Sequence, residues 1–485
     1  MKTALALAPA LVRARMKSTK GMAWLEILGV ASYALCAWML FTVASGTWMF
    51  YRRAGHMPES ARAATVNMGL SADQADVFGG IYLAMAILAC AVLIVPVLGL
   101  GGAAARLGAQ AKAESLAAMR LVGLTSGQTA VIRLVESQVA AVLGVIIGFV
   151  AWAVALPLWS LVSFQGAPIE ATEMLMPWWF WVLGVSTVLV LAAVSTLLGL
   201  TKVWISPLGV SKRGKNKSLR AWRLVFFGLV ALAFIGYLIF GGGMRATVVV
   251  GFAVAGIFVA GLMFATMVVA PWVLQLMVLP FTRASTPSTL LAARRITHDP
   301  KAAWRAIGGL SMLMIVATFA SAAINTLMMA DTSTKIDQNV PTMGDLFITD
   351  LMTGLLITLV FAMVIGVMVT LTQQASSVIE GADVARALDW AGAPAGLHVR
   401  TRLKQVALPL VAGLVGGIGI GWFLSLIVTT GVAYEQTAGY THMDMNAWGV
   451  IGSVAVLAVV FALVAALACV PLERSLLGRH VRRND

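Results

Sequence analysis

The chain has 485 residues, 60% of them hydrophobic and only 11% charged, with a formal net charge of +14. A soluble domain carries about 25% charged residues, so this composition excludes a water-soluble globular enzyme. The charges fall in short clusters between apolar runs longer than the ~20 residues that cross a bilayer as a helix. The ~10-residue alternating segments of a membrane β-barrel are not seen. The fold class expected is an all-α polytopic membrane protein. The positive charge belongs to membrane-flanking loops and gives no reason to expect nucleic acid as a partner.

Ten spans are expected, at about 22–50, 77–101, 136–162, 177–203, 222–242, 246–273, 304–330, 351–374, 405–430 and 446–470. The first is too long for a signal-peptide core and no small-residue cleavage site closes it, so it reads as a retained span. With ten spans both termini share one side, and that side holds 29 of the 34 Lys and Arg residues against 5 on the other. Lys and Arg gather in cytoplasmic loops, which places both termini in the cytoplasm of a multi-pass cell-membrane protein. The longest external loop, "YRRAGHMPESARAATVNMGLSADQAD", is about 26 residues, too short for a core of its own. Cys36, Cys90 and Cys469 lie within or at the ends of apolar spans and offer neither a disulfide framework nor metal spacing.

Between the second and third spans stands "ESLAAMRLVGLTSGQTAVIRLVESQ", a polar interruption with helical period. Residues 106–122 read as a short helix. Gly123 ends it, because glycine accepts the positive φ of a helix C-cap. Thr125 or Ser126 then caps the helix that enters span three. Alone, such an element is either an interfacial helix among lipid headgroups or a plug for a groove on a partner. Glu136 lies where span three enters the bilayer, where a carboxylate is costly and usually paired. It either pairs with Arg133, snorkels, or acts as a pivot.

The interruption recurs. A shift of 269 positions brings it onto "DVARALDWAGAPAGLHVRTRLKQ", with Glu114 on Asp383, Gly123 on Gly392 and Arg133 on Arg402. Glu136 falls on Gln405, and Gly144 and Gly148 fall on Gly413 and Gly417. "ARMKSTKGMAW" before span one answers "RRITHDPKAAW" before span seven, and "ISPLGVSKR" after span four answers "CVPLERSLLGR" after span ten. The plan is four spans, a two-span hairpin, then four spans: residues 1–220, 221–283 and 284–485. The repeats are parallel, related by a pseudo-two-fold axis along the membrane normal. The two GxxxG pairs permit close helix packing, either between the repeats or within each one.

No catalytic constellation or metal site is expected. "GVSKRGKN" (209–216) fits G-x-x-x-x-G-K, but Asn216 stands where a P-loop needs Ser or Thr for Mg²⁺, and a membrane helix precedes it. It reads as a basic linker with Lys212, Arg213, Lys215, Lys217, Arg220 and Arg223, attracting anionic lipid by ~1 kcal/mol per charge. Few ionisable residues lie in the spans, which argues against an ion-coupled carrier and for a separate energy source.

The polar segments resemble the FtsX-like permease family, the membrane subunits of type VII, MacB-like ABC transporters. Its pattern is an acidic residue, then Arg, Gly and Gln, with a glutamate opening the next span. Here these are Glu114, Arg120, Gly123, Gln128 and Glu136. The second copy keeps Asp383 and Gly392 and departs at Asp389, Leu397 and Gln405. The resemblance implies that both segments dock on an ABC ATPase, in two copies, which binds ATP-Mg while this chain binds no cofactor and is not itself an enzyme. The 4+2+4 plan resembles BceB-like permeases, though their large external domain is missing, as is that of MacB. The implied function is export of an amphipathic or lipid-like compound, such as an antibiotic or antimicrobial peptide, from a bacterial cell. The alternative is mechanotransmission without transport, to an external enzyme or a sensor kinase.

Overall fold

The computed structural model describes residues 20–71, 75–111, 125–204, 225, 227–233, 236, 248–330, 337, 339–433 and 445–472. Its long helices, numbered as they occur, are α1 (Lys20–Gly55), α3 (Ala75–Ala111), α4 (Ser126–Ala155), α5 (Trp178–Trp204), α6 (Val248–Val278), α8 (Pro300–Ala330), α9 (Met343–Glu380), α11 (Ala395–Ala433) and α12 (Met445–Ala468). Three short ones, α2 (Glu59–Asn67), α7 (Pro287–His298) and α10 (Ala382–Trp390), lie between them. Two-residue strands, β1 (Ser163–Phe164) and β2 (Ala167–Pro168), form one hairpin.

Among the described residues, eight helices are long and apolar enough to cross a membrane. The chain is therefore an all-α, multi-pass membrane protein. Helix α3 adds a 37-residue helix whose apolar part is described over Asp76–Cys90. The expected span at 222–242 lies largely outside the described residues, as does the basic linker at 209–216. The expected sixth span, 246–273, falls on α6, and the membrane-length apolar segment there, Gly261–Arg283, runs past the end of α6 into the single helical turn Leu279–Arg283.

The helices pair in a recurring way. Helix α1 packs against α3, α4 and α5, while α4 and α3 each pack against α5. Helix α8 packs in the same manner against α9, α11 and α12, while α11 and α9 each pack against α12. The two groups meet through α3 and α9, flanked by α1 with α9 and by α3 with α8. Helix α6 leans on α3, α8 and α11. In each group the first helix is more buried than the third and fourth. Val139, Ile146, Val150 and Val154 of α4, and Val411, Val415 and Phe423 of α11, form outward apolar faces. In water such faces would be untenable; against lipid they need no partner.

The GxxxG glycines decide how the third helix of each group sits. A Cβ on Gly148 would lie 2.6 Å from Ala34 O, 2.8 Å from Ala37 Cβ and 2.9 Å from Trp38 N. On Gly417 it would lie 2.6 Å from Ser311 O, 2.9 Å from Met314 Cβ and 3.5 Å from Ile315 N. The same three kinds of atom are met in the same order. Gly144 lies against Tyr33 and Ala34, and Gly413 against Ser311 and Ile307. Of the two placements open to these glycines, the helices adopt packing within each group. The junction between the groups is α3 on α9.

The two ends of the bundle differ. At one, Leu25 and Leu28 of α1 pack with Ala375 and Val378 of α9 and with Cys469 and Leu472. At the other lie the hairpin, α2 and an aromatic belt in which Trp48 stacks on Tyr51 and meets Phe180 edge-on. Amphipathic rings favour such a headgroup-level position. We call this the hairpin end.

Candidate functional site

The second polar segment is described almost whole. Helix α9 runs to Glu380, Gly381 turns the chain, and α10 follows directly. It closes with a Schellman motif: the Ala393 N–H donates to Leu388 O (3.0 Å) and the Gly392 N–H to Asp389 O (3.0 Å). Gly392 adopts φ +78°, a conformation that costs glycine nothing and other residues a Cβ clash. Helix α11 then starts at Ala395 and continues for 39 residues along α8.

Helix α10 buries Ala385 but leaves Val384 52% and Trp390 81% exposed. Asp389 and Gly392 are exposed beside them, and Leu397 is half-buried at the start of α11. The backbone of Asp383 lies in the first turn of α10. Such an exposed Trp at a helix end, away from the hairpin end, is a surface that gains by being covered. Between two and three turns into α11, Lys404 donates to Ser288 Oγ (2.9 Å) and Thr289 Oγ1 (2.7 Å), which ties this segment to α7.

The first segment is seen only at its flanks; Glu114, Arg120 and Gly123 lie outside the described residues. Helix α3 continues unbroken to Ala111, so residues 106–111 extend the second span and do not open a separate short helix. On the far flank Thr125 caps α4. The Gln128 N–H donates to Thr125 Oγ1 (3.3 Å), and Gln128 Oε1 accepts from the Thr125 N–H (3.0 Å). This reciprocal capping box satisfies two otherwise orphaned donors. Gln128 therefore has a structural task independent of any partner.

Arg133 Nη1 bonds Glu136 Oε2 at 2.8 Å, one turn apart on α4, with side chains only 7% and 5% exposed. The carboxylate is paired on its own helix, one of the readings open from the sequence. In the second copy Arg402 is buried and Gln405 half-buried.

A second polar cluster lies at the hairpin end. Residues 165 and 166 turn the hairpin with φ +61° and +72°, the signature of a tight two-residue type I′ turn. Glycine accepts this; glutamine pays a steric cost. The cost is offset by the surroundings. The Gln165 N–H donates to Asp350 Oδ2 (2.7 Å), and its carbonyl accepts from Ser60 Oγ (2.8 Å). Asp350 Oδ2 also accepts the Tyr82 hydroxyl at 2.5 Å, joining α3 to α9. Arg53, at the end of α1, grips the strands: Nη1 donates to Phe164 O (2.8 Å), and Nη2 to Pro168 O (2.9 Å) and Glu173 Oε2 (2.6 Å). Asn67 at the end of α2 donates to Asp337 O (3.0 Å) and Val340 O (2.6 Å), and accepts from the Asp337 N–H (2.6 Å).

Sequence reasoning assigned none of these residues. Asp350 closes a polar loop immediately before an apolar run, and "SFQGAP" holds a turn-like Gln-Gly between short apolar pairs. Both signals are weak without the fold that brings them together. Among the described residues no cluster of His, Cys, Asp or Glu could hold a metal ion.

No protein-family model matches the chain, and no curated protein matches it.

Proposed function

We propose that the chain is the membrane subunit of an ABC transporter, a permease driven by a separate ATPase that exports an amphipathic or lipid-like compound. The observation that carries this reading is the exposed α10–Gly392–α11 element. Helix α10 presents Trp390 and Val384 outward, and its turn leads without a break into a helix that spans the bundle. A push on α10 is thus delivered to α11 and, through the glycine contacts, to α8. In this reading Asp383, Asp389, Gly392 and Leu397 border the docking surface, and residues 114–123 supply the matching one.

The recurrence of helix pairings and glycine contacts supports two four-span repeats, residues 1–220 and 284–485, with 221–283 as a two-span linker. Two repeats suit two ATPase copies. The Lys and Arg bias supports a cytoplasmic position for the coupling end and both termini, and hence an outer position for the hairpin end. Anionic lipid would hold the basic linker.

The test is capture of partners by the full chain from native membranes in mild detergent. An ABC ATPase at two copies per chain is expected. Trp390→Ser should abolish capture while leaving the melting temperature unchanged, because that side chain is 81% exposed. A folded, monodisperse chain that brings down no ATPase would return α10 to the status of an interfacial helix.

A further inference from the structure

We infer that the hairpin 163–168 is a movable strap that holds the outer end of the junction between the two helix groups shut, and that Asp350 is its latch.

Three observations converge. First, the hairpin belongs to the first group, where Arg53 and Ser60 hold it, but its tip is also fastened to the second. Its tip bonds Asp350 of α9 through the Gln165 N–H, and Phe164 lies against Gly354, one turn further along α9. Second, Asp350 Oδ2 also receives the Tyr82 hydroxyl from α3. One carboxylate oxygen therefore joins α3, α9 and the strap, on the helix pair that forms the junction. Under the 269-residue shift Tyr82 falls on Leu351, next to Asp350, so the bonded pair sits at matching heights. Third, the strap is strained and incompletely satisfied. Gln165 holds φ +61° and is fully buried, yet among the described residues its side-chain amide N and O meet no hydrogen-bond partner. A strained residue with an unpaired buried amide stays in place only while its surroundings hold it. Those surroundings are the polar contacts from Asp350, Ser60 and Arg53 and the packing of Phe164 among Met49, Ile169 and Met174.

A purely structural cap would put an asparagine or glycine at this turn. A strap that must also leave has reason to be held by a latch and otherwise cost energy. When Asp350 releases, Gln165 gains solvent for its amide and loses its strain, and α3 and α9 lose their shared acceptor. The junction is then free to part at this end. The inference rests on the two-group arrangement of the helices and not on the source of energy, so it can fail while ATPase capture succeeds, and the reverse.

The experiment uses the purified full chain in lipid nanodiscs with a reporter, Gly354→Cys. Gly354 is half-buried, and among the described residues a Cβ there meets Phe164 Cε1 at 3.9 Å, so the thiol lies against the strap and its departure reads as a rise in rate. The rate of labelling by a charged maleimide is measured, with the parent chain as background. Asp350→Ala, which removes the shared acceptor, should raise the rate by about ten- to a hundredfold, the population change expected from losing even one hydrogen bond to a charged group. A second variant adds Ser60→Cys and Gly166→Cys. A Cβ on Gly166 would lie 3.0 Å from Ser60 Cβ, within a few tenths of an ångström of disulfide range. With labelling read at position 354 by peptide mass mapping, the oxidised clasp should return the Asp350→Ala chain to slow labelling there; the reduced clasp, after removal of the reductant, should not. Unchanged labelling in Asp350→Ala would overturn the latch. Fast labelling that persists under the oxidised clasp would overturn the strap, since exposure would then arise elsewhere.

Discussion

Replacing Gly148 by alanine adds a single methyl group where the structure has no room for it. The new carbon would sit 2.6 Å from Ala34 O, 2.8 Å from Ala37 Cβ and 2.9 Å from Trp38 N. Two of these are main-chain atoms and the third is fixed to the main chain, so no side chain can rotate away. Helices α1 and α4 must move apart, and overpacking of this kind costs ~1–3 kcal/mol. Alanine is also the better helix former by ~1 kcal/mol, which blurs the reading of one variant. Gly416→Ala removes the ambiguity: it makes the same exchange mid-helix in α11, and a Cβ there meets nothing within 4 Å. The propensity gain is common to both, so their difference reports the contact alone, and Gly148→Ala should be the less stable by ~1–3 kcal/mol. Gly417→Ala should behave like Gly148→Ala, because it meets the same kinds of atom. Thermal unfolding in detergent, followed by circular dichroism, gives the comparison. Equal midpoints for Gly148→Ala and Gly416→Ala would refute the reasoning.

Removing Arg133 alone should destabilise the chain by ~3–5 kcal/mol, because it takes the 2.8 Å charge partner from a buried Glu136; Arg133→Met with Glu136→Leu should recover most of that loss, and equal losses would show that the pair is not what holds this position. Gln128→Leu should lower the melting temperature through the lost cap, worth about 1 kcal/mol, without weakening ATPase capture; loss of capture at unchanged stability would reassign Gln128 to docking. Arg53→Lys should loosen the hairpin, since an ammonium cannot serve Glu173 and two carbonyls in one plane as the guanidinium does; hydrogen exchange over 163–174 should rise, and unchanged exchange would show that the grip is dispensable.

Much of this protein is legible in its sequence because the membrane is an unforgiving solvent. Backbone polar groups must be satisfied internally in hydrocarbon, so long apolar runs become helices and their positions follow from hydropathy. Local chemistry was partly readable: of the two cap candidates Thr125 and Ser126 it is Thr125 that caps α4, with Gln128 in a capping role the sequence reading did not give it, and Gly392, the counterpart of Gly123, takes the positive φ that ends α10. Glu136 found its partner three residues away on its own helix, a pairing that spacing alone makes available. These are short-range consequences of residue type and period.

What the tertiary structure decided is everything that depends on which helix meets which. A GxxxG pair announces close packing but not the neighbour; only the assembled bundle puts Gly148 on α1 and Gly417 on α8, and gives the junction to α3 and α9. Hydropathy stops at the apolar boundary, whereas α3 carries on to Ala111 because a helix continues until its hydrogen bonds are capped or broken. The hairpin end was the least legible of all. Arg53, Tyr82, Gln165 and Asp350 are far apart in the chain and individually ordinary. Their meaning arises from a single carboxylate placed where three elements converge, and no local rule of sequence encodes that convergence.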